Sequence, residues 1–288
     1  MEYLFLREND FIWGKVDLMK ILDVYDKNSD LKFNGRNVFD VMNKFFLRFP
    51  KGLSDNYYRK LDTVKIFRVD ELYEKDYVGK YDELGNCVFF SNFDSIGHEL
   101  MHMASYNDMA FGFANSLGDF SNGLIEGMNE YMTMLAFDQT EIVTYCFEVF
   151  CAMMLTTNFD FEKICRPFFI PNHSEFISLF SNKNEIYSLM YSLGYYYEFS
   201  DEYFNKSLRK KERREIIEKI KIAIMDTINS LINIELSKDL DFDSLTLYCE
   251  KFLDLMNSMH VKKDLEIFFP GCVDYADTQI KTRIRSKR

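Results

Sequence analysis

Two of the chain's four histidines stand four positions apart, in Gly97-His98-Glu99-Leu100-Met101-His102. On a helix, positions i and i+4 lie one above the other on a single face. Two imidazoles placed there can both reach one tetrahedral cation at about 2.0–2.1 Å. Glu99 sits beside them, where it can take a proton from a metal-bound water. A metal that does chemistry also needs a third protein ligand and an open position. The stretch Gly123-Leu-Ile-Glu126-Gly-Met-Asn-Glu130-Tyr131 offers two acids, again i and i+4. They lie beside a stripe of Ile125, Met128, Met132 and Leu135, and acids so close to a core are costly to bury without a cation or hydrogen-bond partners. We assign Glu126 as the third ligand. Glu130, one turn on, would accept the free N–H of a ligating histidine, His98 first, and fix its tautomer. The reverse assignment, Glu130 as ligand, stays open.

These residues need elements to hold them. Ile96, Leu100 and Met103 give the first motif an apolar stripe on a face other than that of the histidines, and Ser91-Asn-Phe-Asp94 reads as a capping box opening a helix that runs to about Ser105. Residues 106–122, with Gly112, Gly118 and several Asn, Asp and Ser residues, read as a loop. A second helix is expected over 123–137. Before the motif, residues 64–69 alternate like a half-buried strand, 77–81 form a short second strand, 82–86 a turn and 87–90 a third strand, together a small antiparallel sheet. Residues 16–25 and 38–49 show helical spacing, and 50–56 read as a loop. From 140 on the pattern is helical, with loops near 157–162, 168–174, 181–184 and 238–242. The expected fold is α+β and predominantly helical: a lobe over 1–137 with the sheet packed on the motif helix, then an all-helical lobe over 138–288. The active cleft would lie between them.

H-E-L-M-H followed by a glutamate within E-G-x-x-E-Y at the start of a later helix resembles the gluzincin metallopeptidases, which include thermolysin-like enzymes and zinc aminopeptidases. The motif-level likeness covers about residues 64–135; beyond it the chain is similar only in being helical. The resemblance implies a zincin-like fold, one Zn2+ per chain held by His98, His102 and Glu126, Glu99 as general base, and Glu130 supporting a histidine. It also makes residues 87–90 the edge strand beside the active site, with Val88, Phe89 and Phe90 binding substrate backbone by strand addition. Two features depart from the family. Ile125 stands where Asn often precedes the third ligand, and the 24 positions from His102 to Glu126 are more than in the best-known members. The G-x-M-E-N type signature of zinc aminopeptidases is absent, which favours an endo- or oligopeptidase. The implied reaction is peptide hydrolysis by a zinc-activated water, Glu99 carrying the proton to the leaving amine. A further oxyanion donor is needed, and His173, Tyr195, Tyr196 and Tyr197 are all candidates. His173, after Pro171-Asn172, is expected in a loop and His260 near a helix end.

Composition narrows the partners. A net charge of −11 argues against nucleic acid, because phosphate binding needs a basic surface. The locally basic stretches, 206–221 and 281–288, read as a solvated helix face and a terminus. No run of apolar residues is long enough to cross a membrane. The opening Met1-Glu-Tyr-Leu-Phe-Leu does not read as a signal peptide, so a cytoplasmic protein is expected, with export by a route that needs no signal peptide as the alternative. Six cysteines without metal spacing read as reduced thiols rather than a disulfide framework. The expected partner is a peptide or protein substrate, and the sequence is silent on oligomeric state. Three rivals share these residues: a metal-binding regulatory protein on the same fold without turnover, an amidase acting on a non-peptide substrate, and a toxin-like protease aimed at one partner protein. A purely structural metal has no need of Glu99, which favours an enzyme.

Overall fold

The computed structural model describes residues 21–50, 52–70, 78–107, 110–114, 120–142, 144–157, 159, 161–238, 242–259, 267–269 and 271–287. Several expectations fall partly or wholly outside these: those for residues 16–20, Tyr77, the loops at 50–56, 106–122, 157–162 and 238–242, His260 and the last residue of the basic tail. The chain divides into two compact units, Met1–Asn107 with Met132–Gln139, and Asp108–Tyr131 with Thr140–Arg288.

In the first unit, β1 (Ile21–Tyr25) is followed by β2 (Lys32–Phe33) and β3 (Arg36–Asn37). Asn34 and Gly35, both at positive φ, form the two-residue turn that joins β2 to β3. Helix α1 (Val38–Phe46) starts where the Asn37 side chain accepts the Asp40 N–H, and it buries Val38, Phe39, Val41, Met42, Phe45 and Phe46. Then come α2 (Asp55–Leu61), β4 (Lys65–Val69), β5 (Gly79–Asp82), β6 (Cys87–Phe90), a 3-10 turn (Phe93–Ser95) and α3 (Ile96–Ser105). The sheet order is β1-β4-β6-β5.

This sheet corrects three expectations. Residues 21–25 form a strand and not part of a helix, because Ile21, Leu22, Val24 and Tyr25 fit either period and pairing with residues 66–69 decides. The sheet is mixed, not antiparallel, since β4 and β6 run parallel while β1–β4 and β5–β6 run antiparallel. Finally, β6 is an interior strand bonded on both sides, so Val88, Phe89 and Phe90, all at most 2% exposed, are core and not a substrate ledge. The edge nearest the motif helix is β5, which α3 contacts directly.

After β7 (Tyr106–Asn107) and β8 (Ala110–Phe111), where a loop was expected, α4 (Asn122–Phe137) runs unbroken across the boundary between the units. Its last turns belong to the first unit. There Phe137 meets Phe33 edge-on at 5.5 Å, and Arg36 binds the Phe137 carbonyl and, at 3.0 Å, the Asp138 carboxylate.

The rest of the second unit is helical as expected, with α5 (Cys146–Thr157), α6 (Phe161–Phe169), α7 (His173–Ser178), α8 (Lys183–Asn205), α9 (Lys210–Leu236), α10 (Phe242–Met259) and α11 (Cys272–Lys287). The two longest, α8 and α9, form an antiparallel hairpin: Arg213 lies over the Tyr203 ring, Lys219 over Phe199, and the Thr227 hydroxyl donates to Ser192 at 2.9 Å. Aromatic rings fill the core, Phe147 touching Tyr196 and Phe269, and Phe150 touching Phe252. Among the described residues, no helix is long and apolar enough to cross a membrane.

Candidate metal centre

The motif helix is seated from its N-terminal side. Asn92, rather than the expected Ser91, supplies the cap: its side chain accepts the Asp94 N–H at 3.1 Å. Ser91 instead donates to the Val78 carbonyl just ahead of β5. Ser95 donates to the same carbonyl at 3.0 Å and to Asn92 O at 2.8 Å, which ties the turn to the edge strand. Ile96, Leu100 and Met103 are fully buried, as their spacing requires. With that face fixed, His98 and His102 share another.

The two Nε2 atoms lie 3.0 Å apart, with the rings 4.7 Å apart and crossed at 70°. Two imidazoles about 2.0–2.1 Å from one tetrahedral cation would hold their nitrogens about 3.4 Å apart, close to what is observed. Glu126 completes the group: one ligand atom from each of His98, His102 and Glu126 lies within 4.8 Å of the others. A Cβ on Gly97 would stand 2.7 Å from Phe137 Cε2 and 2.8 Å from Thr133 Cγ2, so the residue before His98 packs directly on the last turns of α4. Glu126 lies on the same helix. Two imidazole nitrogens and one carboxylate oxygen make a donor set that could hold a metal ion.

Glu99 is 6% exposed. Its Oε1 would be 2.7 Å from a Cβ on Gly79, so the carboxylate rests against the backbone of edge strand β5. Glu130 is buried and accepts a hydrogen bond from Thr144 at 2.9 Å. The four oxyanion candidates lie in different settings. His173 is the first residue of α7 and not in a loop, its Nδ1 2.9 Å from Phe113 O and its Nε2 3.3 Å from the Tyr187 hydroxyl. Tyr195 is exposed beside Phe120 and Phe199. Tyr197 is half-buried beside Tyr145. Tyr196 is buried against Phe147, and burial together with the Glu148 charge raises its hydroxyl well above the usual value.

Glu148, on α5, is the group that motif reasoning missed. It is 4% exposed, and burial, assisted by the charge of Glu126, pushes its carboxyl up to about 8. The signal was present as a lone acid inside the apolar run Phe147-Glu-Val-Phe-Cys151. Gly127, which follows Glu126, lets α5 come this close: a Cβ there would stand 2.2 Å from the Glu148 carbonyl oxygen. Comparison of the chain with family models, with curated proteins and with solved structures finds no match.

Proposed function

We propose that this chain is a zinc-dependent metallopeptidase of the gluzincin kind, with His98, His102 and Glu126 as the metal ligands and Glu99 as the general base. The observation that carries the reading is the convergence of two imidazoles and a carboxylate, on a helix where the residue after His98 is a buried glutamate outside that group. A metal held only for structure needs no such base. When bound, zinc would act as a Lewis acid on the scissile carbonyl and lower the pKa of its water. Glu99 would take a proton and return it to the leaving amine. Glu99 lies against Gly79 of β5, the outermost strand on that side among the described residues, where an extended peptide could add as a further strand. That role moves from β6 to β5. Glu130 and Thr144 would hold their neighbours in place.

The test is metal content followed by turnover. Purified protein is expected to hold about one zinc per chain, and His98→Ala or Glu126→Ala to lose it. Glu99→Gln is expected to retain zinc while cleavage of a peptide library falls at least about 10²-fold. A wild-type chain without bound metal at neutral pH ends the reading; unchanged cleavage by Glu99→Gln removes Glu99 as base.

A further inference from the structure

His102 stands on the last turn of a helix only ten residues long. Such helices are marginal alone, and their final carbonyls lack intrahelical donors. One of the two imidazoles is therefore carried by the part of α3 most prone to fray. Helix α2 meets this end with two side chains one turn apart. Asn56 Nδ2 donates to Ala104 O at 2.6 Å and to Tyr106 O at 2.5 Å. Lys60 Nζ donates to Met103 O at 2.9 Å and also to Tyr106 O. Lys60 is only 8% exposed, and its ammonium lies 4.4 Å from the Tyr106 ring centroid and 5.7 Å from that of Tyr81. A buried cation at a helix C-terminus faces the negative end of the helix dipole, and here it also satisfies the carbonyls directly.

We propose that Lys60 and Asn56 are positioning residues of the metal centre, clamping the last turn of α3 so that His102 is held in reach of the cation before it binds. The inference rests on the metal-centre reading above. Without the clamp, part of the binding energy is spent on ordering the turn, and affinity falls although every ligand is present. Partners that orient metal ligands typically contribute about 10–100-fold in affinity.

The test is zinc affinity, measured at 25 °C by competition with a chromophoric chelator, alongside the melting temperature of the metal-free protein. Lys60→Met is expected to bind zinc at least about tenfold more weakly, and Asn56→Ala to show a smaller loss in the same direction. A sheet-core variant, Phe67→Leu, lowers the melting temperature but is expected to keep wild-type affinity. Should Lys60→Met fail to fold, half-buried Asn56→Ala decides the question by itself. Affinities within about twofold of wild type in the clamp variants, or an equal loss in Phe67→Leu, overturn the clamp and leave the metal centre standing. A wild-type chain that binds no zinc overturns both.

Discussion

Glu148 is a carboxyl in a place water does not reach, and its protonation is tied to folding. In the unfolded chain it titrates at the ordinary glutamate value of 4.5; in the fold it holds its proton to about 8. Between those values the folded state binds one more proton than the unfolded state, so stability falls as pH rises. The contribution is fully present below about 4.5 and is lost by about 8, with a limiting slope of about 1.4 kcal/mol per pH unit. Glu148→Gln keeps the shape and removes the titration. In metal-free protein, urea unfolding at pH 5, 7 and 9 is expected to show the variant gaining on the wild type as pH rises. Identical pH slopes in the two proteins would rule this out. The contrast with the motif residues explains what the sequence revealed at this scale. His98, Glu99 and His102 are neighbours on one helix, and Glu126 was found because it sits beside an apolar stripe. Glu148 approaches Glu126 from another helix, and no local spacing records that approach.

Among the elements, glycines decide how closely the helices pack. Replacing Gly127 by alanine gains helix propensity, up to about 1 kcal/mol. Against that, the new methyl carbon would meet the Glu148 carbonyl oxygen at 2.2 Å and its carbon at 2.3 Å. Backbone cannot rotate aside, so α4 and α5 must separate, and overpacking of this kind costs about 1–3 kcal/mol or more. The clash outweighs the propensity. Gly127→Ala is expected to lower the urea midpoint by a net loss of about 2 kcal/mol, and a variant as stable as the wild type would disprove the close approach. At Gly97 the obstructing atoms are side chains of Thr133 and Phe137, which can shift, so alanine there is expected to cost less. The strands were harder to read than the helices. The uniformly apolar Cys87-Val-Phe-Phe90 has the composition of a strand covered on both faces, as it is; Gly79-Lys-Tyr-Asp82, half polar, takes the edge. Strand order is a long-range property, and the resemblance supplied the wrong strand for that role.

For the molecule as a whole, helix content after residue 140 was readable because long amphipathic stretches repeat the same period many times, whereas the break at 206–209 between α8 and α9 was not. The use of that helical half was not readable, since its residues carry packing rather than a compact motif. The His-His-Glu group couples cation binding to folding. His98 and His102 lie on α3, and Glu126 lies 24 positions further on, on α4. An unfolded chain does not hold the three together, so a cation that needs all of them binds the native state alone and stabilises it. At a free concentration 100 times the dissociation constant the gain is about 2.7 kcal/mol. For a chain of this size each kcal/mol moves the melting temperature by roughly 2–4 °C, so saturating zinc is expected to raise it by about 5–10 °C, and a chelator to reverse the rise. If the two compact units melt separately, the transition that moves is the one containing α3. His98→Ala and Glu126→Ala should melt at the same temperature with and without zinc, while Glu99→Gln should respond like the wild type, because the base is not a ligand. An equal shift in all four proteins would mean that zinc binds elsewhere on an acidic surface and that the His-His-Glu group is not its site.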